Sequence, residues 1–274
     1  MIEAYHQCFA SGAVLWRTTN RPNEALSYRF YSRSPIDTVS IAISADFIKP
    51  SNPLVHLIQR WSEPWAGPTP EQSCDFDSEK GLSKIWVTFG AFRKLDDLLS
   101  VEGVPDSVRQ HKHVFHSLGL ELLRNVAVDF QSDTVNLYLR VSGALTEEKA
   151  ASLVALADGS TLTPSMWTEM QRYLSPSGCT LATTILAATG EIKRVAIYAL
   201  GLPPDSFPDI GDKLKTFFEV APSYDSNEFT AVGWSFGAGG RNYLKAEKSY
   251  CGELYPLLRS HKSLLVSDEK IKGQ

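Results

Sequence analysis

The chain has no apolar stretch long enough to cross a bilayer, no basic-then-apolar leader, and no Pro/Gly/Ser-rich or single-charge run to divide it. These lacks argue against a helical membrane protein and point to one domain over residues 1–274, with 43% hydrophobic residues to build a sizeable core. Cysteine is scarce. Cys8, Cys74, Cys179 and Cys251 stand far apart with no C-x-x-C pair, as expected of a reduced, cytoplasmic, soluble protein rather than a disulfide scaffold. An excess of positive charge is also missing: 27 Lys+Arg against 31 Asp+Glu leave a net charge of −4, which argues against a general nucleic-acid or anionic-membrane footprint.

Reactive-site signatures are equally sparse. There is no G-x-S-x-G elbow, no Walker loop and no zinc-ligand spacing. Gly237-Ala238-Gly239-Gly240 lies between two strand-like segments and opens no helix, so it reads as a hairpin turn rather than a phosphate loop. His111, His113 and His116 share a helical segment, but their spacing does not put three ligands on one face. Asp96-Asp97 runs into Leu98, Leu99 and Ser100, so the acidic metal-diphosphate signature of helical terpenoid enzymes is missing. No metal site is expected.

What the chain does have is alternation. Arg29, Tyr31 and Arg33 share one parity; Asn136, Tyr138 and Arg140 alternate with Leu137, Leu139 and Val141. Lys84, Trp86 and Thr88 oppose Ile85, Val87 and Phe89; Arg194, Ala196 and Tyr198 oppose Val195, Ile197 and Ala199; Tyr243, Lys245, Glu247 and Ser249 form the polar parity of the last run. Successive side chains point to opposite faces of a strand, so each segment has an apolar face to cover and a polar face that sees water or a ligand. A closed sheet with helices outside and a wet, cationic inside satisfies both. Paired strand patterns fall near 14–18 and 25–32, 72–77 and 84–89, 124–130 and 135–141, 180–186 and 193–200, and 227–236 and 243–250. Helical patterns lie between them at 37–45, 53–61, 107–118, 146–158, 164–174 and 210–220, with a last one at 254–261. The expected fold is α+β, a ten-stranded antiparallel barrel ringed by helices.

Arg17, Arg29, Lys84, Arg140 and Lys245 form the lumen's cation set, with Tyr138 and Tyr198 as hydroxyl donors and Glu247 as the one obvious acid. A unit-charge contact near 4 Å is worth about 4 kcal/mol at an effective dielectric near 20, so unpaired cations gathered there call for an anion. A diphosphate fits. Tyr31, Trp86, Trp234 and Phe236 would give aromatic faces within about 6 Å of a ligand cation, as an allylic diphosphate requires.

These segments resemble the soluble aromatic prenyltransferases with the αββα barrel, most closely the branch whose clorobiocin and novobiocin members prenylate 4-hydroxyphenylpyruvate. The resemblance runs through L-W-R-T-T (Leu15 to Thr19), L-S-Y-R-F-Y-S-R (Leu26 to Arg33), D-F-D (Asp75 to Asp77) and K-I-W-V-T-F-G (Lys84 to Gly90). It continues through V-D-F with N-L-Y-L-R (Val128 to Arg140), G-W-S-F-G (Gly233 to Gly237) and Y-L-K-A-E-K-S-Y (Tyr243 to Tyr250). It implies that Arg17, Arg29, Lys84, Tyr138, Arg140, Tyr198 and Lys245 hold the diphosphate, while Arg124 and Glu247 face the acceptor as catalytic groups. Metal-dependent relatives carry an aspartate on the second strand; here Arg29 stands in that stretch, so Mg²⁺ is not expected and no cofactor is implied. The expected activity is transfer of a dimethylallyl group from dimethylallyl diphosphate to a phenolic acceptor by a monomer. A fused aromatic such as a dihydroxynaphthalene or phenazine, or a barrel that only binds an anionic aromatic, are the alternatives.

Overall fold

Alternation resolves into ten strands: β1 (Ala13–Thr19), β2 (Ser27–Tyr31), β3 (Glu71–Asp77), β4 (Gly81–Lys94), β5 (Leu122–Asp129), β6 (Thr134–Ser142), β7 (Gly178–Leu186), β8 (Ile192–Leu200), β9 (Glu228–Gly237) and β10 (Tyr243–Tyr250). Each pairs antiparallel with its chain neighbours, and β1 pairs with β10 to close the barrel. The computed structural model describes residues 3–6, 13–31, 36–63, 69–203, 206–221 and 228–250. The helical pattern at 254–261 and the position of Arg33 lie outside them.

Helices fill the longer connections: α1 (Thr38–Ser44) and α2 (Pro53–Trp61) after β2; α3 (Leu95–Leu99), α4 (Asp106–Arg109) and α5 (Lys112–Ser117) after β4; α6 (Glu147–Val154) and α7 (Pro164–Met170) after β6; α8 (Gly211–Val220) after β8. Their starts are written in the sequence. Asp37, Asn52, Thr146 and Thr163 each accept a hydrogen bond from a first-turn amide, and Pro53 and Pro164 follow two of these caps at the first helical position. Three details depart from the pattern reading. β4 runs on to Lys94 past an irregularity between Thr88 and Arg93, and α3 follows it directly, burying Leu95, Leu98 and Leu99. The expected helix over 107–118 is two short ones, because the chain turns at Gln110 and His111 to seat the His111 ring against the Gly190 carbonyl at 2.6 Å. The expected helix over 164–174 ends at Met170, and the chain tightens through 171–174 into turns bonded i to i−3, Arg172 to Glu169 and Tyr173 to Met170.

The hydrophobic core lies between the outer face of the barrel and the helices. Phe30, Phe76, Ile85, Val87, Leu137, Leu139, Val195 and Ile197 meet Leu57, Ile58, Trp61, Leu153, Met170 and Leu214 there. Each such side chain is worth roughly 1.5–3 kcal/mol relative to exposure. Inside the barrel, the apolar cluster among the described residues is only Ala182, Ala196 and Tyr198. Polar groups fill the rest of the inward parity.

Candidate active site

Strand register builds the site. Arg29 on β2 lies opposite Asp75 on β3, and Asp75 opposite Lys84 on β4, so a carboxylate stands between two cations on one rung. Asp75 is fully buried and takes both guanidinium groups that reach it: Arg17 Nη1 at 2.5 Å, and Arg29 through Nε and through Nη2 at 3.1 Å. Lys84 stands 3.9 Å from Asp129 and donates to Asn136 Oδ1 at 3.3 Å; Thr184 donates to the same oxygen at 2.9 Å. Across the lumen Lys245 pairs with Glu247 and donates to the Tyr198 hydroxyl at 3.1 Å. Arg194 donates to the Tyr243 hydroxyl and, at 3.1 Å, to Thr184 Oγ1.

These groups surround a cavity of about 180 Å³ at the hairpin end of the barrel, where Arg17, Lys84, Arg194, Lys245, Tyr138 and Tyr198 meet. Glu247 is therefore not the one acid of the lumen. Asp129 lines the same space with Glu24 and Asp77, so the described lining carries five cations (Arg17, Arg21, Lys84, Arg194, Lys245) against three carboxylates, and Asp75 stands behind it on the inward parity, held by Arg17 and Arg29.

Proton affinities follow. Burial alone would raise the Asp75 carboxyl, but Arg17, Arg29 and Lys84 outweigh it and hold Asp75 far below the ordinary range. Glu247 behaves alike: burial opposes ionisation, and Lys245, Arg29 and Arg17 more than compensate. Lys84 goes the other way. Burial brings its ammonium down to about 7, against the pull of Asp129 and Asp75. Tyr138 is pushed well up by burial and by Tyr198, whereas Arg194, Arg21 and Lys245 lower Tyr243 despite its burial.

Arg17, Arg29, Lys84, Tyr138, Tyr198, Lys245 and Glu247 converge as the sequence implied. Arg140 does not join them. It sits two inward positions beyond Asn136, near β6's other end, and donates to the Ser177 carbonyl at 2.5 Å. Arg124 is its cationic neighbour and stacks over Phe92 at 4.4 Å; burial, then Arg140, bring Arg124 down to about 10. That pair marks a second cationic spot towards the other end of the barrel rather than part of the first.

Trp86 faces inward with Arg29 over its ring at 3.9 Å and the Tyr138 ring at 4.3 Å. Trp234 and Phe236 do not line the lumen. Lys245 pairs with Gly233, so Gly233, Ser235 and Gly237 take the inward parity and the two aromatics point out; Trp234 packs under α7, with Nε1 3.5 Å from Glu169. The side chain of Tyr31 lies outside what the structure describes; its backbone pairs with Ser73. The site set read from the sequence also lacked Asp75, Asp129, Asn136, Arg194 and Tyr243. Asn136, Arg194 and Tyr243 stand on the polar parity of their strands, and that periodicity is the signal for them.

A family description, "Aromatic prenyltransferase Orf2", matches residues 1–262. The chain belongs to that family. An aromatic prenyltransferase of Sclerotinia sclerotiorum is 49% identical over 97% of this chain and 87% of its own length. A 4-hydroxyphenylpyruvate 3-dimethylallyltransferase of Streptomyces niveus is 40% identical over 94% of this chain and 79% of its own. Among solved structures, 5-dimethylallyl tryptophan synthase from Streptomyces coelicolor, in complex with DMASPP and Trp, aligns with TM-score 0.53 and 12% identity over 88% of this chain and 80% of its own. NotF prenyltransferase aligns with TM-score 0.54 and 12% identity over 86% and 80%. At that identity the likeness speaks for the barrel alone. Taken with the family match, this aromatic prenyltransferase has its polar cavity enclosed by the prenyltransferase barrel.

Proposed function

We propose that this barrel transfers a dimethylallyl group from dimethylallyl diphosphate to a ring carbon of a phenolic acceptor, releasing diphosphate without a metal ion. One observation carries the reading: Lys84, Arg194 and Lys245 converge with the Tyr138, Tyr198 and Tyr243 hydroxyls on one cavity whose described lining has more cations than carboxylates. The allylic C–O bond breaks as these groups take up the negative charge developing on the departing oxygen, and the allylic cation forms beside the Tyr138 and Tyr198 rings. A ring carbon of the phenol then attacks the cation, and the resulting arenium loses its proton to restore aromaticity. Glu247, held ionised by Lys245, would orient the phenol or take that proton. A weak base suffices, because an arenium is a very strong acid.

Two facts support the finer points. The Streptomyces niveus relative is named for a phenolic acceptor and a dimethylallyl donor. Of the inward carboxylates, Asp75 is engaged by two guanidinium groups, Glu247 by an ammonium, and Asp129 accepts the Gln131 and Ser132 amides on Oδ1 with Lys84 3.9 Å away. The test is turnover with dimethylallyl diphosphate and a panel of phenols, naphthols and phenazines in EDTA, read by mass spectrometry. A monoprenylated phenol is expected. Loss of turnover in EDTA with recovery on Mg²⁺ would overturn the metal-free reading, and product from fused aromatics alone would move the acceptor class.

A further inference from the structure

Trp86 sits deeper than the cavity mouth. It occupies the next inward position after Lys84 on β4, opposite Ser73 on one side and Ala127 on the other, and it is 6% exposed. Arg29 comes from β2 and Tyr138 from β6, two strands away in opposite directions around the barrel. The guanidinium 3.9 Å from the ring centroid, the Lys84 ammonium at 5.7 Å and the tilted tyrosine ring at 4.3 Å thus crowd the indole's π system. The indole's edge carries Nε1–H, which is buried and has no hydrogen-bond partner among the described residues. Trp16 Nε1 is unpartnered too, but Trp16 lies on the outward parity beside Tyr28.

An indole N–H is a donor only, and leaving such a donor buried and unmade is costly, so few native side chains do so without a reason. The partner must bring a lone pair. A diphosphate is already served by the ammonium and guanidinium groups lining the mouth, and Trp86 does not line that cavity. One inward step along a strand is roughly 7 Å, so Trp86 springs from the wall one layer below Lys84, where an aromatic bound beneath the diphosphate would meet it.

We propose that Trp86 Nε1–H is a specificity contact donating a hydrogen bond to an oxygen atom of the aromatic acceptor. Trp86 then selects acceptors by where they carry oxygen, and the shielding of the allylic cation is left to the tyrosines. The inference rests on the prenyl transfer proposed above, so its test is a binding measurement that does not need turnover.

The decisive variant places 3-benzothienylalanine at position 86, which exchanges N–H for sulfur and keeps the ring beside Arg29 and Tyr138. In ¹⁵N-indole-labelled protein, the Trp86 resonance is assigned by its disappearance in Trp86→Phe. Titration with 4-hydroxyphenylpyruvate, 1-naphthol and phenazine-1-carboxylate should move that resonance downfield for at least one of them. The isostere should bind that ligand about tenfold more weakly, the scale of one hydrogen bond. Its affinity for the thiolo analogue of dimethylallyl diphosphate should be unchanged, and its unliganded form should melt no lower than wild type. Equal acceptor affinity in wild type and isostere, a resonance that no acceptor moves, or a loss confined to the donor analogue would each overturn the assignment. Failure of turnover with intact, N–H-dependent acceptor binding would instead count against the proposed reaction and leave Trp86 in place.

Discussion

Removing the Asp75 carboxylate would leave Arg17 and Arg29 facing one another in a buried layer without the group that holds both. Breaking a buried ion pair from one side costs about 3–5 kcal/mol, so Asp75→Asn should melt well below wild type. Inorganic diphosphate should raise the melting temperature of that variant more than that of wild type, because it restores the missing charge; an equal rise in both would mean that Arg17 and Arg29 lie out of the ligand's reach. Since the folded carboxyl is depressed, its stabilisation is present above the unfolded value near 3.9 and is lost as pH falls below it. Thermal melts from pH 6 down to 3 should therefore fall more steeply for wild type than for Asp75→Asn. Lys84 has the opposite sign. Its folded value of about 7 lies below the unfolded 10.5, so the cost of burying its charge is fully present below 7 and is relieved as pH rises from 7 towards 10.5. An anion rewards the charged form. Diphosphate binding at pH 8 should take up close to one proton, measured by calorimetry in two buffers of different ionisation enthalpy, and affinity should fall as pH climbs above 7. Lys84→Arg, always protonated, should bind with a flat profile; an equally steep profile would assign the proton elsewhere.

Among the elements, two glycines show how strands and helices are held to the site. Gly190, at φ +78° in the β7–β8 turn, packs so closely on the α4 end that an added Cβ would stand 2.4 Å from the Ser107 carbonyl oxygen. Backbone cannot yield cheaply there, so Gly190→Ala should cost at least ~1 kcal/mol, seen as a lower denaturant midpoint with unchanged slope. Gly233 has ordinary backbone, but a Cβ there would lie 2.8 Å from the Tyr198 ring. Gly233→Ala should push that ring off the wall and break its hydrogen bond from Lys245, lowering donor affinity by about tenfold while the fold stays near wild-type stability. Unchanged donor affinity would take Tyr198 out of the site.

The same scale explains what the sequence made legible. Period-two alternation located every strand, because a barrel with an apolar outside and a polar inside uses both faces of each one. It failed at Trp234 and Phe236. In Gly233-Trp234-Ser235-Phe236-Gly237 neither parity is charged, and only the pairing of Gly233 with Lys245 tells which faces in. It also underweighted Asp75. A carboxylate one strand away from Arg29 and one from Lys84 is adjacent only in register, which the chain order between residues 29, 75 and 84 does not display. Arg140 was placed on the right parity but at the wrong depth, since alternation fixes the face and not the height along the barrel.

For the whole molecule, a net charge of −4 surrounds a lumen whose described lining is cationic, so the attraction felt by a diphosphate is local. Screening should act on it strongly. Raising salt from about 0.05 to about 0.5 M should increase the donor KM while leaving that of a neutral phenol nearly unchanged; parallel increases in both would point to general destabilisation instead.

The closing pair, β1 with β10, joins Leu15 to Ser249, whereas every other strand pairs with a chain neighbour. Contacts so distant in sequence form slowly, so the chain should pass through an open sheet of nine strand pairs, five of them hairpins, with two bare edges. Such edges invite strand addition from other molecules. Here the edges carry Arg17 on one side and Lys245, Glu247 and Lys248 on the other, and charge on an edge strand discourages that addition. The groups proposed to face the diphosphate would thus serve first as guards against aggregation. Refolding of Lys245→Leu should scatter more light than refolding of wild type at equal concentration, whatever either does to turnover.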